Sequence, residues 1–237
     1  MSKELVKQHK SLKLRIYPTK NQEILINKTF GSCRKLYNEH PQERNEFYID
    51  NILPIKSTAT KAEINQVYKK YKPKSEKEWK EIYSYMKEVS SAALQQARID
   101  CDNAFMNFFK SKNGTRKGKI GFPKFKSKKD NHQSYRETMI SQNSLNFFSK
   151  YIKIPKLGKV KFSYDKLQKW YFDKIKLCNI TIEKTPSNKY FAVLLYEIKK
   201  QNLIINNRKD SIGLDFSPEN FYVNSDNKIG KDFGYVA

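Results

Sequence analysis

The chain has 237 residues, room for one large domain or two to three small ones, and its 47 Lys+Arg against 24 Asp+Glu give a net charge of +23. Hydrophobic residues at 38% and aromatics at 14% exclude wholesale disorder, and the charge points to a polyanion-binding surface rather than a merely soluble Lys-rich one. Cys33, Cys101 and Cys178 form no C-x-x-C pair and His9, His40 and His132 are isolated, which excludes a zinc or disulfide framework; without a signal peptide or apolar span, the expected location is cytoplasmic, with the nucleoid.

Residues 11–17, SLKLRIY, place Leu12, Leu14 and Ile16 on one face and Lys13, Arg15 and Tyr17 on the other, a half-buried strand with a basic outer face. Pro18 ends it. Thr19 with Gln22 forms a capping-box pattern for a helix whose apolar face is Ile26, Phe30, Cys33 and Tyr37, closed by Pro41. Thr60/Glu63 and Ser75/Glu78 open two more helices. The first carries the stripe Ile64, Val67, Tyr68 and Tyr71, and the second carries Trp79, Ile82, Tyr83 and Met86. A long helix from about Ser90 to Phe109 buries Leu94, Ala97, Cys101, Phe105 and Phe108. These stripes read as core.

From Ser111 the texture changes. SKNGTRKGKIGFPKFKSKKDNHQSYR interleaves a dense basic run with Phe122, Phe125 and Tyr135, and only Asp130 opposes the charge. A charge run alone is usually a solvated face. Aromatics among the cations suit phosphate contact with base or ribose stacking. From Tyr135 to about Lys200 the pattern is β: LNFF, YIKIP and GKVKF, then KIKLCNITIEK and KYFAVLLYEI flanking the turn TPSN as a hairpin. The apolar phase slips at Cys178-Asn179, which predicts a bulge, and strands at this spacing fit a small barrel. The final stretch, SIGLDFSPENFYVNSDN, delivers Asp215 to a strand end and follows it with a second strand at Phe221-Tyr222-Val223.

Taken together, LKLRIYPTKNQ, FGSCRKLYN, ALQQARIDCDNAFMNFFK, GFPKFKSKKDNHQSY, IKIPKLGKVKF and IGLDFSPENF, in that order, resemble TnpB, the transposon-encoded RNA-guided nuclease related to type V CRISPR effectors. The resemblance implies an α+β fold. A β-barrel wedge domain (residues 1–18 and 120–205) is interrupted by a helical recognition lobe (19–119), and the first strands of an RNase H-like, RuvC-type domain follow (210–237). It also implies a guide RNA as bound cofactor and double-stranded DNA as target, with base pairing supplying sequence specificity. Motif-reading and DNA-contacting positions fall on Ser91, Gln95, Tyr135 and Ile140; Gln95 keeps an amide able to contact adenine, although an exposed helix glutamine is the plainer reading. The set implied for RNA and phosphate is Arg15, Arg34, Lys117, Lys119, Lys124, Lys126, Lys128, Arg136, Lys156 and Lys159.

Cleavage at an RNase H-like site needs several carboxylates around two divalent metals. The family's partner Glu and second Asp, and its four-cysteine zinc element, lie downstream of the first strand, whereas this chain offers Asp215 alone. Glu219 and Asp226 read as solvated turn residues, and Phe216-Ser217-Pro218 departs from the small-residue-and-Gly continuation of the family. The expectation is therefore no metal site and no nuclease activity: a truncated, nuclease-dead repressor with vestigial Asp215. The alternative is the N-terminal portion of an active RNA-guided endonuclease.

Overall fold

The alternation of the opening segment does build a strand, and in the computed structural model β1 runs Leu5–Tyr17, extending six residues ahead of the predicted start. The structure describes residues 5–138, 140–141, 144–146, 149–163, 176–201, 213–215, 222–225 and 229–230. The chain divides into two compact units, Lys7–Lys199 and Met1–Val6 with Lys200–Ala237.

In the larger unit all three capping boxes form. Thr19 caps α1 (Lys20–Phe47), Thr60 caps α2 (Lys61–Lys69) and Ser75 caps α3 (Glu76–Ile82), each reciprocally with its Gln or Glu three residues on. Gln22 does more than cap, because its Nε2 also donates to the carbonyls of Leu157 (3.1 Å) and Lys159 (2.8 Å). Pro41 does not close α1; the helix runs through it to Phe47. Proline removes one intrahelical donor, but the segment is held by tertiary contacts: His40 and Pro41 are buried, and Arg44 reaches Asp102 at 3.2 Å. A π-helical turn, Tyr48–Ile52, and a 3-10 turn, Leu53–Ile55, follow.

Two helical stripes differ from the sequence reading. The α2 stripe is not core, since no residue of α2 is buried; Tyr68 and Tyr71 rest on Phe47 at ring distances of 6.3 and 5.0 Å. Trp79 and Met86 do not share a helix. The chain leaves α3 at Tyr83 (φ −116°, ψ 85°), whose ring stacks on Trp79 at 5.8 Å, and a 3-10 turn, Ser84–Glu88, then buries Met86. The fourth helix, α4 (Ser91–Lys112), buries Leu94, Ala97, Cys101 and Phe105 as its periodicity predicts, while Phe108, expected with them, is only half-buried.

The β-strands are β2 (Gln133–Glu137), β3 (Leu145–Asn146), β4 (Tyr151–Ile154), β5 (Gly158–Ser163), β6 (Lys176–Lys184) and β7 (Tyr190–Gln201). They form a seven-stranded sheet with β1, in the order β2-β6-β7-β1-β5-β4-β3, with β2 and β3 at its ends. The β6–β7 hairpin shifts register between Leu177 and Asn179, the bulge that the phase slip at Cys178 predicts. Leu14, Ile16, Ile152, Val160, Phe162, Ile180, Ile182 and Leu194 from the sheet join Ile26, Phe30, Leu36, Ala93 and Leu94 from α1 and α4 in one core cluster. The helices thus cover one face of the sheet, each buried large side chain stabilising by about 1.5–3 kcal/mol, and the outer face mixes cations such as Lys13 and Arg15 with half-buried Phe191, Val193 and Leu195. In the smaller unit, β8 (Leu214–Asp215), β9 (Tyr222–Asn224) and β10 (Ile229–Gly230) form a three-stranded antiparallel sheet with β9 central. Glu219, Asp226 and Phe216-Ser217-Pro218 lie outside the described residues.

Candidate nucleic-acid interface

The basic segment after α4 is anchored at its base. Asn38 of α1 makes a two-way bond to the backbone of Lys126: Nδ2 donates to its carbonyl (2.9 Å) and Oδ1 accepts its N–H (2.8 Å). Gln133, at the start of β2, organises the other side. Its Nε2 donates to the carbonyls of Ser127 (3.2 Å) and Asp130 (2.9 Å), and its Oε1 accepts from Arg34 Nη1 (2.7 Å). Asp130, the one acid in the run, is used locally, its carboxylate accepting the Ser127 N–H at 3.0 Å. The loop therefore presents its lysines from a fixed base.

Lys117, Lys119, Lys124 and Lys128 are all exposed. Lys126 is exposed but leans over the Tyr37 ring at 4.1 Å. Of the interleaved aromatics, Phe125 and Phe122 are 65% and 58% exposed, and Phe122 also packs edge-on against Phe105 and Phe108 at 5.3 and 5.4 Å. Tyr135 and Ile140 are corrected: both are buried in the core, at 7% and 8% exposure, and neither presents a side chain to a base. For Tyr135 the strand alternation decides it, because Tyr135 and Glu137 of β2 point inward while Ser134 and Arg136 do not. Arg136 in turn is ion-paired with Asp100 of α4, a structural tie rather than an open phosphate ligand. Ser91 and Gln95 are exposed one turn apart on α4, and Ser91 Oγ accepts from Lys80 Nζ at 2.5 Å.

Arg15 lies on the outer face of β1, its guanidinium stacked between Tyr17 (5.6 Å) and Phe191 (5.3 Å). Lys156 stands exposed at the tip of the β4–β5 hairpin with φ 64°, and Lys159 is exposed on β5. The same face carries residues that sequence reasoning did not single out. Lys161 of β5 is paired with Tyr17 of β1 on one side and Tyr151 of β4 on the other, while Lys153 pairs with Lys159. Alternation within YIKIP and GKVKF carried the signal for these; what was missing was the register that sets one strand's residues beside another's. Between α1 and the paired ends of β2 and β6 lies a groove of about 690 Å³, which Lys28, Arg34, Lys128 and Lys184 line.

Burial keeps the interior nucleophiles silent. It pushes the Cys33 thiol up to about 12 and the Cys101 thiol up to about 11, so neither supplies a thiolate at neutral pH. Burial also raises the Tyr135 phenol and lowers His40. In the smaller unit Asp215 is exposed on β8, beside a shallow groove lined by Gly213, Leu214, Val223, Asn224 and Ser225. Among the described residues no group of three His, Cys, Asp or Glu side chains could hold a metal ion, and no helix is long and apolar enough to cross a membrane.

Comparison with known proteins bears on this surface. Residues 8–51 match the helix-turn-helix domain model of IS605 OrfB proteins. A 119-residue stretch is 34% identical to the virulence protein VsdF of Salmonella dublin, covering 50% of this chain and 93% of that protein. The chain belongs to the TnpB-like, IS605 OrfB-like family. A second relative of this TnpB-like chain, named "Putative RNA-guided DNA endonuclease", from Streptomyces pristinaespiralis, is 28% identical over 127 residues. That match covers 53% of this chain and 27% of the relative, so the chain spans about a quarter of that protein's length in the match. The segment matched by the helix-turn-helix model is here one strand, β1, and one continuous helix, α1, with its terminal π-helical turn. No second helix within it is offered to a DNA groove.

Proposed function

We propose that this TnpB-like chain is an RNA-guided DNA-binding protein that holds a guide RNA on its basic surface and binds matched duplex DNA beside a short flanking motif. The observation that supports it best is the loop of exposed lysines, Lys117 to Lys128, held to α1 and β2 by Asn38 and Gln133 with its single acid consumed in a turn. A surface of that kind binds phosphate backbones without reading sequence, which base pairing then supplies. On this reading the seven-stranded sheet is the wedge domain, α1–α4 the recognition lobe, and β8–β10 the start of a RuvC-like domain. Ser91 and Gln95, exposed on α4, remain the candidates for reading the flanking motif.

We further propose that the chain binds without cutting and represses by occupying its target. Among the described residues the groove beside Asp215 is lined by one carboxylate, and two-metal chemistry needs more than one. The competing reading, a portion of an active RNA-guided endonuclease, is favoured by the partial coverage of the Streptomyces relative. One experiment addresses both. The purified protein is expected to carry a discrete co-purifying RNA and to retard duplex DNA matched to that RNA's guide segment, leaving it intact in Mg²⁺. Loss of all specific RNA at moderate salt sinks the guided-binding reading; metal-dependent cleavage of the matched duplex sinks the repressor reading alone. Lys117→Ala with Lys124→Ala should weaken RNA binding and flatten its logarithmic salt slope by about 1.4, two phosphate contacts on a single strand.

A further inference from the structure

The groove between α1 and the end of the sheet has a feature that protein packing does not explain. Gly31 sits in the interior of α1, where glycine is less favourable than alanine. Its φ lies outside the left-handed range, so the backbone does not require glycine. Neither does space: a Cβ built there meets only the Arg34 guanidinium, at 4.0 Å, an ordinary contact. The bare helix surface faces open groove.

What surrounds it is cationic. One helical turn to either side stand Lys28 and Arg34, and across the groove stand Lys128 and Lys184. The strand register explains the far wall. Gln133 of β2 pairs with Lys184 of β6, two positions beyond the pair Tyr135–Ile182. The inward face that is core at Tyr135 and Ile182 therefore continues as polar and basic side chains where it passes the end of the core. Lys28 is partly answered by Glu88 at 2.6 Å, a residue outside the groove lining, and among the described residues no carboxylate lines the groove itself. Arg34 is oriented by Gln133, which is itself fixed by the loop carbonyls of Ser127 and Asp130. Its guanidinium is thus placed before any ligand arrives.

We propose that this groove seats the sugar-phosphate backbone of one RNA strand, with Arg34, Lys128 and Lys184 on its phosphates and Gly31 providing the close approach to α1. At about 690 Å³ the groove has room for a short stretch of backbone. Of the two partners in the reading above, on which this inference rests, the RNA offers a single strand from the outset, whereas the DNA does so only once the guide has opened it. Arg34 supplies the planar fork suited to a phosphate, and the lysines act as point charges.

The test uses the full chain and a fluorescein-labelled 20-nucleotide single-stranded RNA, with a duplex DNA of matching sequence as the second probe, titrated by anisotropy at several salt concentrations. Gly31→Leu should lower RNA affinity at least tenfold while leaving the melting temperature unchanged or raised, because leucine is the better helix residue. A merely structural glycine would instead lose stability on substitution. Lys184→Gln should weaken RNA binding about threefold and reduce the salt slope by about 0.7. Lys72→Gln, an exposed charge on the α2–α3 connection, should do neither. Wild-type RNA affinity in both Gly31→Leu and Lys184→Gln overturns the groove as a strand seat even if the protein binds RNA. A larger loss for the duplex than for the RNA overturns its assignment to RNA. If Gly31→Leu fails to fold, Gly31→Ala and Lys184→Gln decide the matter by the same criteria. Failure of the wild-type protein to bind any RNA is a different outcome and removes the parent reading.

Discussion

Helices α1 and α2 begin the same way, with a threonine capping box and an apolar stripe at helical spacing, and finish differently. The stripe of α1 is sunk into the sheet and α4, with Ile26 and Leu36 fully inaccessible and Phe30 nearly so. The stripe of α2 is half-buried at best, and its aromatic contacts are with Phe47 at the far end of α1. Local sequence specifies that a helix forms and where it starts. Whether its apolar face becomes core depends on what the chain brings opposite it. For α1 that is a sheet assembled from β1 and from strands that follow only after α4; for α2 it is one aromatic ring and a short turn. Helices held mainly by their own caps are the ones that open first.

Mutations can break this contrast or sharpen it. The largest effect is expected from the buried stripe: Leu36→Ala should cost about 2–5 kcal/mol in denaturant unfolding, whereas Val67→Ala on α2 should stay within about 1 kcal/mol. Equal costs would mean that α2 carries core weight its exposure does not show. Next come the caps. Thr19→Ala should cost about 1 kcal/mol globally, since Gln22 also ties α1 to the β4–β5 hairpin through Leu157 and Lys159. Thr60→Ala should act locally, read as faster hydrogen exchange at α2 amides with little change in the global midpoint; a global shift as large as that of Thr19→Ala would contradict this. The smallest effect is a pH dependence confined to the α1 side. Burial, reinforced by Arg98 and Arg44 and opposed by Asp102 and Glu43, holds His40 below its ordinary value of 6.5. The unfolded chain then binds the proton first, so stability is full above pH 6.5 and falls as pH drops through that value toward the lowered folded one. His40→Gln should flatten that limb between pH 7 and 5, and an unchanged slope would assign it to other groups.

The candidate interface was legible where chemistry is carried by composition and hidden where it is carried by register. The basic loop announced itself through a run of cations with one acid, and its lysines are exposed. Tyr135, read as part of the same run, belongs to the core because it sits on the inward phase of β2, and nothing in the run tells a stacking tyrosine from a buried one. Arg136 looked like another phosphate ligand until α4 placed Asp100 against it. Conversely Lys161, Tyr151 and Lys184 are ordinary residues in their own strands. They become parts of a surface only when β1, β4, β5 and β6 are set side by side.

By itself the sequence determined the helix starts at Thr19, Thr60 and Ser75, the bulge at Cys178, most of the strands and the cationic character of the surface. Each of those is set by hydrogen bonds within a few residues, by a two- or 3.6-residue period, or by a count of charges. Tertiary structure alone decided that α1 runs through Pro41, that α3 stops at Tyr83, that α2 stays at the surface, and that four cations meet around Gly31. Those outcomes depend on neighbours far along the chain, whose packing can offset a local preference of a few kcal/mol and whose identity no local pattern contains.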